Sequence, residues 1–92
     1  MESIVAKDVV EQIKNTFGSK EKYWVCRIYL NGETVWGTRT EEELLNFLAY
    51  NSKYRFGCAL IVEGKCFYRG YYLNESLPKL EERIINEYNK KQ

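Results

Sequence analysis

The sequence predicts a single α+β domain over residues 1–92, with the element order α-β-β-α-β-β-α. Three observations carry this prediction: an apolar stripe with a period of four near the start of the chain, an Asn-Gly pair between two alternating segments, and a second pair of such segments around Glu63-Gly64. The chain has 92 residues, 45% of them hydrophobic and 29% charged, as is typical of one compact domain.

The first predicted helix covers residues 3–17. Apolar residues recur there every four positions, at Val5, Val9, Ile13 and Phe17. This spacing places them on one side of a helix, where they can face a core. Gly18 follows directly and suits the left-handed conformation that commonly ends a helix.

The first predicted hairpin joins strands 23–30 and 33–39 through Asn31-Gly32. Both central residues of a type I′ turn need positive φ, and Asn-Gly adopts that conformation at the least cost. A two-residue turn at this point sets the strand register. It predicts that Arg27 lies opposite Trp36.

The second predicted hairpin joins residues 55–62 and 65–73 through Glu63-Gly64. This dipeptide is a weaker two-residue turn than Asn-Gly. In the same register Leu60 lies opposite Phe67. The two hairpins are predicted to form one four-stranded antiparallel sheet.

A helix is predicted to follow each hairpin. Thr40 and Glu43 have the spacing of a capping box, in which each side chain bonds to the backbone N–H of the other residue. Ser76 before Leu77-Pro78 indicates the start of the last helix, because proline is tolerated in a first turn.

The two hairpin-helix segments, residues 23–52 and 54–90, have the features of a duplicated ββα unit. At an offset of 32 residues Cys26 aligns with Cys58, and Trp36 aligns with Tyr68. The alternation common to all half-buried strands offers a second explanation of the same match.

The strand alternation predicts two sheet faces of different composition. One face carries Cys26, Ile28, Cys58 and Leu60 and is expected to pack against the helices of the two units. The other face is rich in Tyr, Trp and Arg. Its candidate binding residues are Tyr23, Arg27, Tyr29, Trp36, Arg55, Tyr68 and Tyr72.

Four interpretations of the aromatic face are open at this point. Helix 3–17 covers it as a second core layer, or it binds another protein or a second copy of the chain. Alternatively, it stacks single-stranded nucleic acid on Tyr29, Trp36 or Tyr68 beside Arg27 and Arg55, or it holds a small molecule. The net charge of +1 provides no basic excess to favour nucleic acid.

Catalysis has little support, so we expect a protein that is not an enzyme. The chain has no His, which removes the commonest general base and metal ligand, and its three Cys residues are scattered. We therefore expect no catalytic residues, no metal and no cofactor. No apolar run approaches the roughly 20 residues of a membrane span, and the odd cysteine count predicts reduced thiols in the cytoplasm.

The sequence therefore predicts a small protein-binding domain, an adaptor or an inhibitor. Its partner is expected to be another protein or, in a homodimer, a second copy. Small, charge-balanced chains of this profile are also encoded by phages and viruses against host protein complexes, in which case the host cytoplasm is the expected location.

Overall fold

The computed structural model describes residues 2–54, 58–70 and 72–91. Its elements are α1 (Glu2–Phe17), β1 (Tyr23–Tyr29), β2 (Thr34–Arg39), α2 (Glu41–Tyr54), β3 (Cys58–Val62), β4 (Lys65–Arg69) and α3 (Ser76–Lys90). The four strands form one antiparallel sheet in the order β2-β1-β3-β4. The predicted fold class and element order are confirmed, and β1 and β3 are the central strands.

The predicted helix signals act as the sequence indicates. Glu43 Oε1 accepts a hydrogen bond from the Thr40 N–H at 2.9 Å, and Thr40 Oγ1 accepts one from the Glu43 N–H at 3.2 Å. This reciprocal pair begins α2. Gly18 has φ +78° and donates its N–H to the Lys14 carbonyl at 2.7 Å, so it ends α1.

The turn of the second hairpin is also as predicted. Glu63 has φ +49° and Gly64 has φ +82°, as the two central residues of a type I′ turn require. Val62 therefore pairs with Lys65. Further from the turn a bulge shifts the register by one, and Leu60 pairs with Tyr68 instead of the predicted Phe67.

The register predicted for the first hairpin is wrong by one residue. Tyr29 donates its N–H to the Glu33 carbonyl at 2.9 Å, and Gly32 donates to the Tyr29 carbonyl at 2.8 Å, so the loop has three residues. Only Gly32 in this loop has a positive φ, because Asn31 instead accepts the Glu33 N–H at 2.9 Å through its side chain. Trp36 therefore pairs with Cys26 rather than Arg27.

Both faces of the sheet are covered by helices. We call the side against which α1 and α2 pack the helix-pair face, and the opposite side the α3 face. The buried core of the helix-pair face consists of Ala6, Val9, Val10, Ile13, Tyr23, Val25, Leu44, Phe47, Leu48, Cys58, Leu60 and Val62. The buried core of the α3 face consists of Cys26, Ile28, Ala59, Ile61, Leu77 and Ile84.

This arrangement corrects the predicted division into one apolar and one aromatic face. In the β1–β3 register Cys26 pairs with Ile61, and Tyr29 pairs with Cys58. Directly paired residues share a face, so even-numbered residues of β1 lie with odd-numbered residues of β3. The sequence alternation within each strand was sound, but the relative phase of the two strands was not.

The two ββα segments do not behave as equivalent copies in the packing. Cys26 and Cys58, which align at an offset of 32, belong to the cores of opposite faces. The helices that follow the hairpins, α2 and α3, also pack on opposite faces. If β1 and β3 were duplicated strands, a twofold axis perpendicular to the sheet would relate them and would keep equivalent residues on one face. The structure therefore does not support duplication of the whole unit.

Candidate protein-interaction surface

The seven residues predicted to share a binding face are separated by the fold. Tyr23, Tyr29 and Tyr68 pack with the core of the helix-pair face, Tyr72 packs with the core of the α3 face, and Arg55 lies outside the described residues. The predicted common surface is therefore wrong. Arg27, on β1, shares the helix-pair face with the first three tyrosines, whereas Trp36, on β2, lies on the opposite side of the sheet.

Tyr23 has a structural role. Its side chain is buried, and its hydroxyl donates a hydrogen bond to the Gly18 carbonyl at 2.7 Å. The same oxygen accepts the Lys20 N–H at 3.3 Å. Tyr23 thus ties the end of α1 to β1 and presents no ring to a partner.

Tyr72 belongs to a polar cluster around the buried Glu81 and not to a strand. It follows β4, and its hydroxyl donates to Glu81 Oε2 at 2.9 Å. Arg69 forms a bidentate pair with the same carboxylate, its Nε donating to Oε2 at 3.1 Å and its Nη2 donating to Oε1 at 2.5 Å. The Glu81 side chain is buried, so these donors satisfy an otherwise costly charge. Arg69, the last residue of β4, therefore links this strand to α3.

Trp36 lies at the outer margin of the α3 face. Its ring packs edge-on against Trp24 with centroids 5.2 Å apart, and Trp24 in turn packs against Tyr88 at 5.1 Å. The indole N–H of Trp36 donates to Thr34 Oγ1 at 2.9 Å. Despite these contacts Trp36 remains 38% exposed. It is therefore a large ring held in one orientation at the surface, which costs little further entropy to bury.

Trp36, Trp24 and Tyr88 form a ring row, and Glu63 holds its inner end. Its Oε1 accepts a hydrogen bond from the backbone N–H of Trp24 at 2.9 Å, and its Oε2 accepts one from the Tyr88 hydroxyl at 2.5 Å. Burial opposes ionisation of this carboxyl, but the bonds from Tyr88 and Trp24 and the nearby Lys20 charge lower the pKa of Glu63. The same bond raises the pKa of the Tyr88 hydroxyl to about 12. The turn of the second hairpin thus fixes the rings against which Trp36 rests.

On the helix-pair face, Arg27 borders a pocket of about 380 Å³ between α2 and the strands β1 and β2. Its guanidinium carbon lies 4.9 Å from the centroid of the Phe47 ring, and its buried Nε has no hydrogen-bond partner. Arg39, Glu43 and Tyr29 also line the pocket. Hydrogen bonds from Thr40 lower the pKa of Glu43, and the charge of Arg39 adds to this effect.

The open side of β2 offers backbone groups that the sheet does not use. In the antiparallel ladder Glu33, Val35, Gly37 and Arg39 hydrogen-bond to β1, because the Tyr29–Glu33 bond sets the alternation. The N–H and C=O groups of Thr34, Trp36 and Thr38 therefore point away from the sheet. Within the described ranges no strand pairs with this side, and we call these three residues the β2 edge.

The three thiols are poor nucleophiles. Cys26 and Cys58 are buried, and burial raises the pKa of Cys58 to about 11. Burial, with the Glu81 charge adding to it, raises the pKa of Cys66 to about 11 as well. A thiol with such a pKa is almost wholly protonated at neutral pH and is not the reactive form.

We expect Cys66 to react with a chromogenic disulfide reagent at least about tenfold more slowly at pH 7 than an unperturbed thiol, because its thiolate is scarce. The rate should rise steadily as the pH is raised toward 11. The reference is the same chain in urea, where all three thiols are exposed. A native rate at pH 7 equal to the rate in urea would contradict this prediction.

The described residues contain no cluster of acidic or cysteine side chains suited to holding a metal ion. None of their helices is long and apolar enough to cross a bilayer. A comparison with protein-family models, with curated proteins and with solved structures finds no match to this chain. The candidate interaction surface consists of the β2 edge and the side chains around it.

Sequence reasoning found Trp36 but missed the edge itself. Which amides of β2 point outward follows from the three-residue loop at Leu30, Asn31 and Gly32. A signal for this loop is present in the sequence, since three-residue hairpin loops carry glycine at their last, left-handed position. That β2 is an outer strand follows only from the pairing of β1 with β3.

Proposed function

We propose that this protein is a non-enzymatic binding domain that takes an extended strand of a partner protein onto the β2 edge. The observation that carries this proposal is an outer strand, paired with β1 without a bulge although Gly37 has φ +138°, with three outward-facing backbone positions beside the exposed ring of Trp36. Addition of a strand to an open sheet edge is an established mode of recognition, in which main-chain hydrogen bonds supply affinity.

The two outer strands differ in a way that favours β2. β4 has a bulge in its pairing with β3, and it begins and ends with the exposed cations Lys65 and Arg69. Bulges and edge charges are the devices by which proteins discourage pairing at an outer strand. β2 pairs with β1 without a bulge, and its first five residues carry no charge.

Side chains near β2 supply specificity on both sides of an added strand. On the α3 face, Trp36 is a rigid aromatic anchor of the kind that dominates binding energy. On the helix-pair face, Arg39 and Arg27 border the pocket beside α2 together with the single carboxylate of Glu43, and the excess of positive charge favours an acidic side chain. Because successive residues of a strand point to opposite faces, one partner strand can reach both features.

The nucleic-acid interpretation receives no comparable support. It placed Tyr29, Trp36 and Tyr68 on one face as rings on any of which a base could stack, but the first and last lie with the helix-pair core, and Trp36 lies on the α3 side. Helices pack on both faces of the sheet, whereas base stacking needs an open face of exposed rings. The interpretation in which helix 3–17 covers the aromatic residues accounts for Tyr23, which belongs to the core beneath α1.

The proposed compartment is the cytoplasm. The cysteines are free thiols, and the two most buried ones lie in the cores of opposite faces, so they do not face each other. Free thiols of this kind are typical of a reducing environment.

Proline at Thr38 tests the proposal. Peptides selected for binding from a displayed library are titrated onto the protein while backbone amide shifts are recorded. Thr38→Pro removes an outward N–H and leaves the β1 ladder intact, so we expect affinity to fall at least about tenfold. Thr38→Val keeps the N–H and should bind as the natural chain does.

The amide shifts identify the site independently of the variants. In the natural chain the largest changes are expected at Thr34, Trp36 and Thr38. Equal affinities for the proline and valine variants, or shifts confined to α3, would show that the β2 edge is not the binding site.

A further inference from the structure

We infer that the strand received by the β2 edge is β2 of a second copy of this chain, paired antiparallel about a twofold axis at Trp36. This inference rests on the proposed function, because it names the partner for the same edge. Three features of residues 33–39 support a second copy: the outward hydrogen-bonding positions, the charges at the two ends, and the ring row on the α3 face.

The hydrogen-bonding positions select the axis. The outward residues are Thr34, Trp36 and Thr38, and an antiparallel partner must pair outward residues with outward residues. An axis at Trp36 pairs Trp36 with its own copy and Thr34 with Thr38 of the second copy. Of the twofold arrangements, only this one uses all three positions of both chains.

The same register brings opposite charges together twice. Glu33 lies three residues before the axis and Arg39 three residues after it, so each faces the other's counterpart across the new strand pair. Neither side chain forms an ion pair within the described part of the chain. Opposite charges facing each other across antiparallel strands stabilise the pairing. Within the chain the Arg39 charge acts on Glu43 without a close ion pair. One chain thus carries both halves of a charge match that a second copy completes.

Arg39 also covers part of the β2 edge in the single chain. Its Nη1 donates to the Thr38 carbonyl at 2.8 Å, and this carbonyl is one of the outward acceptors. In the dimer, the Thr34 N–H of the second copy takes that acceptor. The Arg39 guanidinium is then free to turn toward Glu33 of the second copy, so the monomer covers its edge with the cation that the dimer uses for pairing.

The side chains between these ends are complementary in size. Val35 faces Gly37 of the second copy on the helix-pair face, and the glycine leaves room for the branched side chain once the Arg39 guanidinium that lies against it has turned away. On the α3 face, the two Trp36 rings become neighbours. The row Tyr88–Trp24–Trp36 then continues into the matching row of the second copy, which shields the indole that is 38% exposed in the single chain.

Charge reversal tests this register. The association state of the full chain is measured by sedimentation over a range of concentrations. Glu33→Arg places two Arg–Arg contacts in a homodimer, and Arg39→Glu places two Glu–Glu contacts. We expect each to raise the dimer dissociation constant at least about tenfold. Glu11→Arg, an exposed residue of α1 with the same charge change, should dimerise like the natural chain.

Mixing provides the decisive arm. In an equimolar mixture of Glu33→Arg and Arg39→Glu, a mixed dimer has an Arg–Glu contact at both ends. We expect the mixture to regain dimers, and the double variant Glu33→Arg with Arg39→Glu to dimerise alone. A misfolded chain would not be rescued by mixing, so recovery separates a register effect from loss of fold.

Other outcomes overturn the inference in recognisable ways. A natural chain that stays monomeric at every concentration, a dimer indifferent to both single reversals, or a mixture that stays monomeric would each exclude this dimer. The proposed function has a separate readout in the Thr38→Pro and Thr38→Val titrations. If that comparison holds while the chain stays monomeric, the β2 edge serves a different protein; if it fails, the edge is not used at all.

Discussion

Replacing Gly64 with alanine is expected to destabilise the protein by about 3 kcal/mol, from backbone strain and a steric clash together. Gly64 has φ +82°, a conformation that alanine adopts only at a cost. A Cβ added there would overlap Cδ1 of the Tyr88 ring. Tyr88, which lies on α3, would therefore have to move away from the turn.

The displacement of Tyr88 has further consequences. Its hydroxyl bonds Glu63, and its ring packs against Trp24, so a shift loosens the contacts that hold the ring row next to Trp36. We therefore expect Gly64→Ala to shift the tryptophan emission of the native state as well as to lower its stability.

Gly32→Ala is the matched control for this variant. Gly32 has nearly the same φ, +84°, but a Cβ there would meet no atom within 4 Å. Only the backbone strain remains, so the expected loss is about 1 kcal/mol. Urea unfolding followed by circular dichroism measures both values. Equal losses for the two variants would mean that the contact between Gly64 and Tyr88 does not constrain the fold.

Replacing Arg69 with alanine is expected to cost about 2 kcal/mol at neutral pH, because it leaves a buried carboxylate without its cation. Glu81 is only 4% exposed, and loss of one partner from a buried pair commonly costs about 3–5 kcal/mol. The expected value is smaller here because the Arg69 side chain is 63% exposed, so water screens the interaction.

The destabilisation should depend on pH. Burial alone would raise the pKa of Glu81, but the bonds from Arg69 and Tyr72 and the Arg69 charge hold it below the ordinary value. In the natural protein this carboxylate therefore stabilises the fold above the unfolded pKa of about 4.3, and the contribution is lost as the pH falls through the lower folded pKa. Without Arg69, burial raises the pKa of Glu81, and protonation removes the penalty. The difference between the two proteins should thus shrink as the pH is lowered from 7 to about 4.

Arg83→Ala is the control for the loss of an arginine. Arg83 pairs with Glu87 one helical turn away at 3.8 Å, and both side chains are well exposed. Exposed pairs of this kind contribute about 0.5 kcal/mol or less to stability. Urea unfolding at several pH values measures both variants. A loss for Arg69→Ala that is as small as that for Arg83→Ala would show that Glu81 does not depend on its buried ion pair.

The elements of the fold could be predicted because their signals are local. The capping pair of Thr40 and Glu43 forms as the spacing indicates, and the Glu63-Gly64 turn has positive φ at both residues. Each of these inferences needed only the residues within a turn of the backbone.

The candidate surface could be predicted only in part, because a register error of one residue exchanges faces. Asn31-Gly32 fits both a two-residue and a three-residue loop, and the choice of the longer loop moved Trp36 away from the side that carries Arg27. The same loop separates Trp36 from Tyr29 and Tyr68, which lie on the side of Arg27, whereas the phase between β1 and β3 separates Cys26 from Cys58. No residue near either strand encodes that phase, since it is set by the cores above and below the sheet.

The sequence by itself determined the seven elements, their order, their caps and the glycine turns, because backbone conformation and amphipathic period are properties of neighbouring residues. Only the tertiary structure decided that β1 and β3 are central, that α2 and α3 pack on opposite faces, and that β2 is left with an open edge beside Trp36. These features depend on contacts between residues far apart in the chain, whose free energies the local sequence does not contain. The proposed interaction surface belongs to this second group.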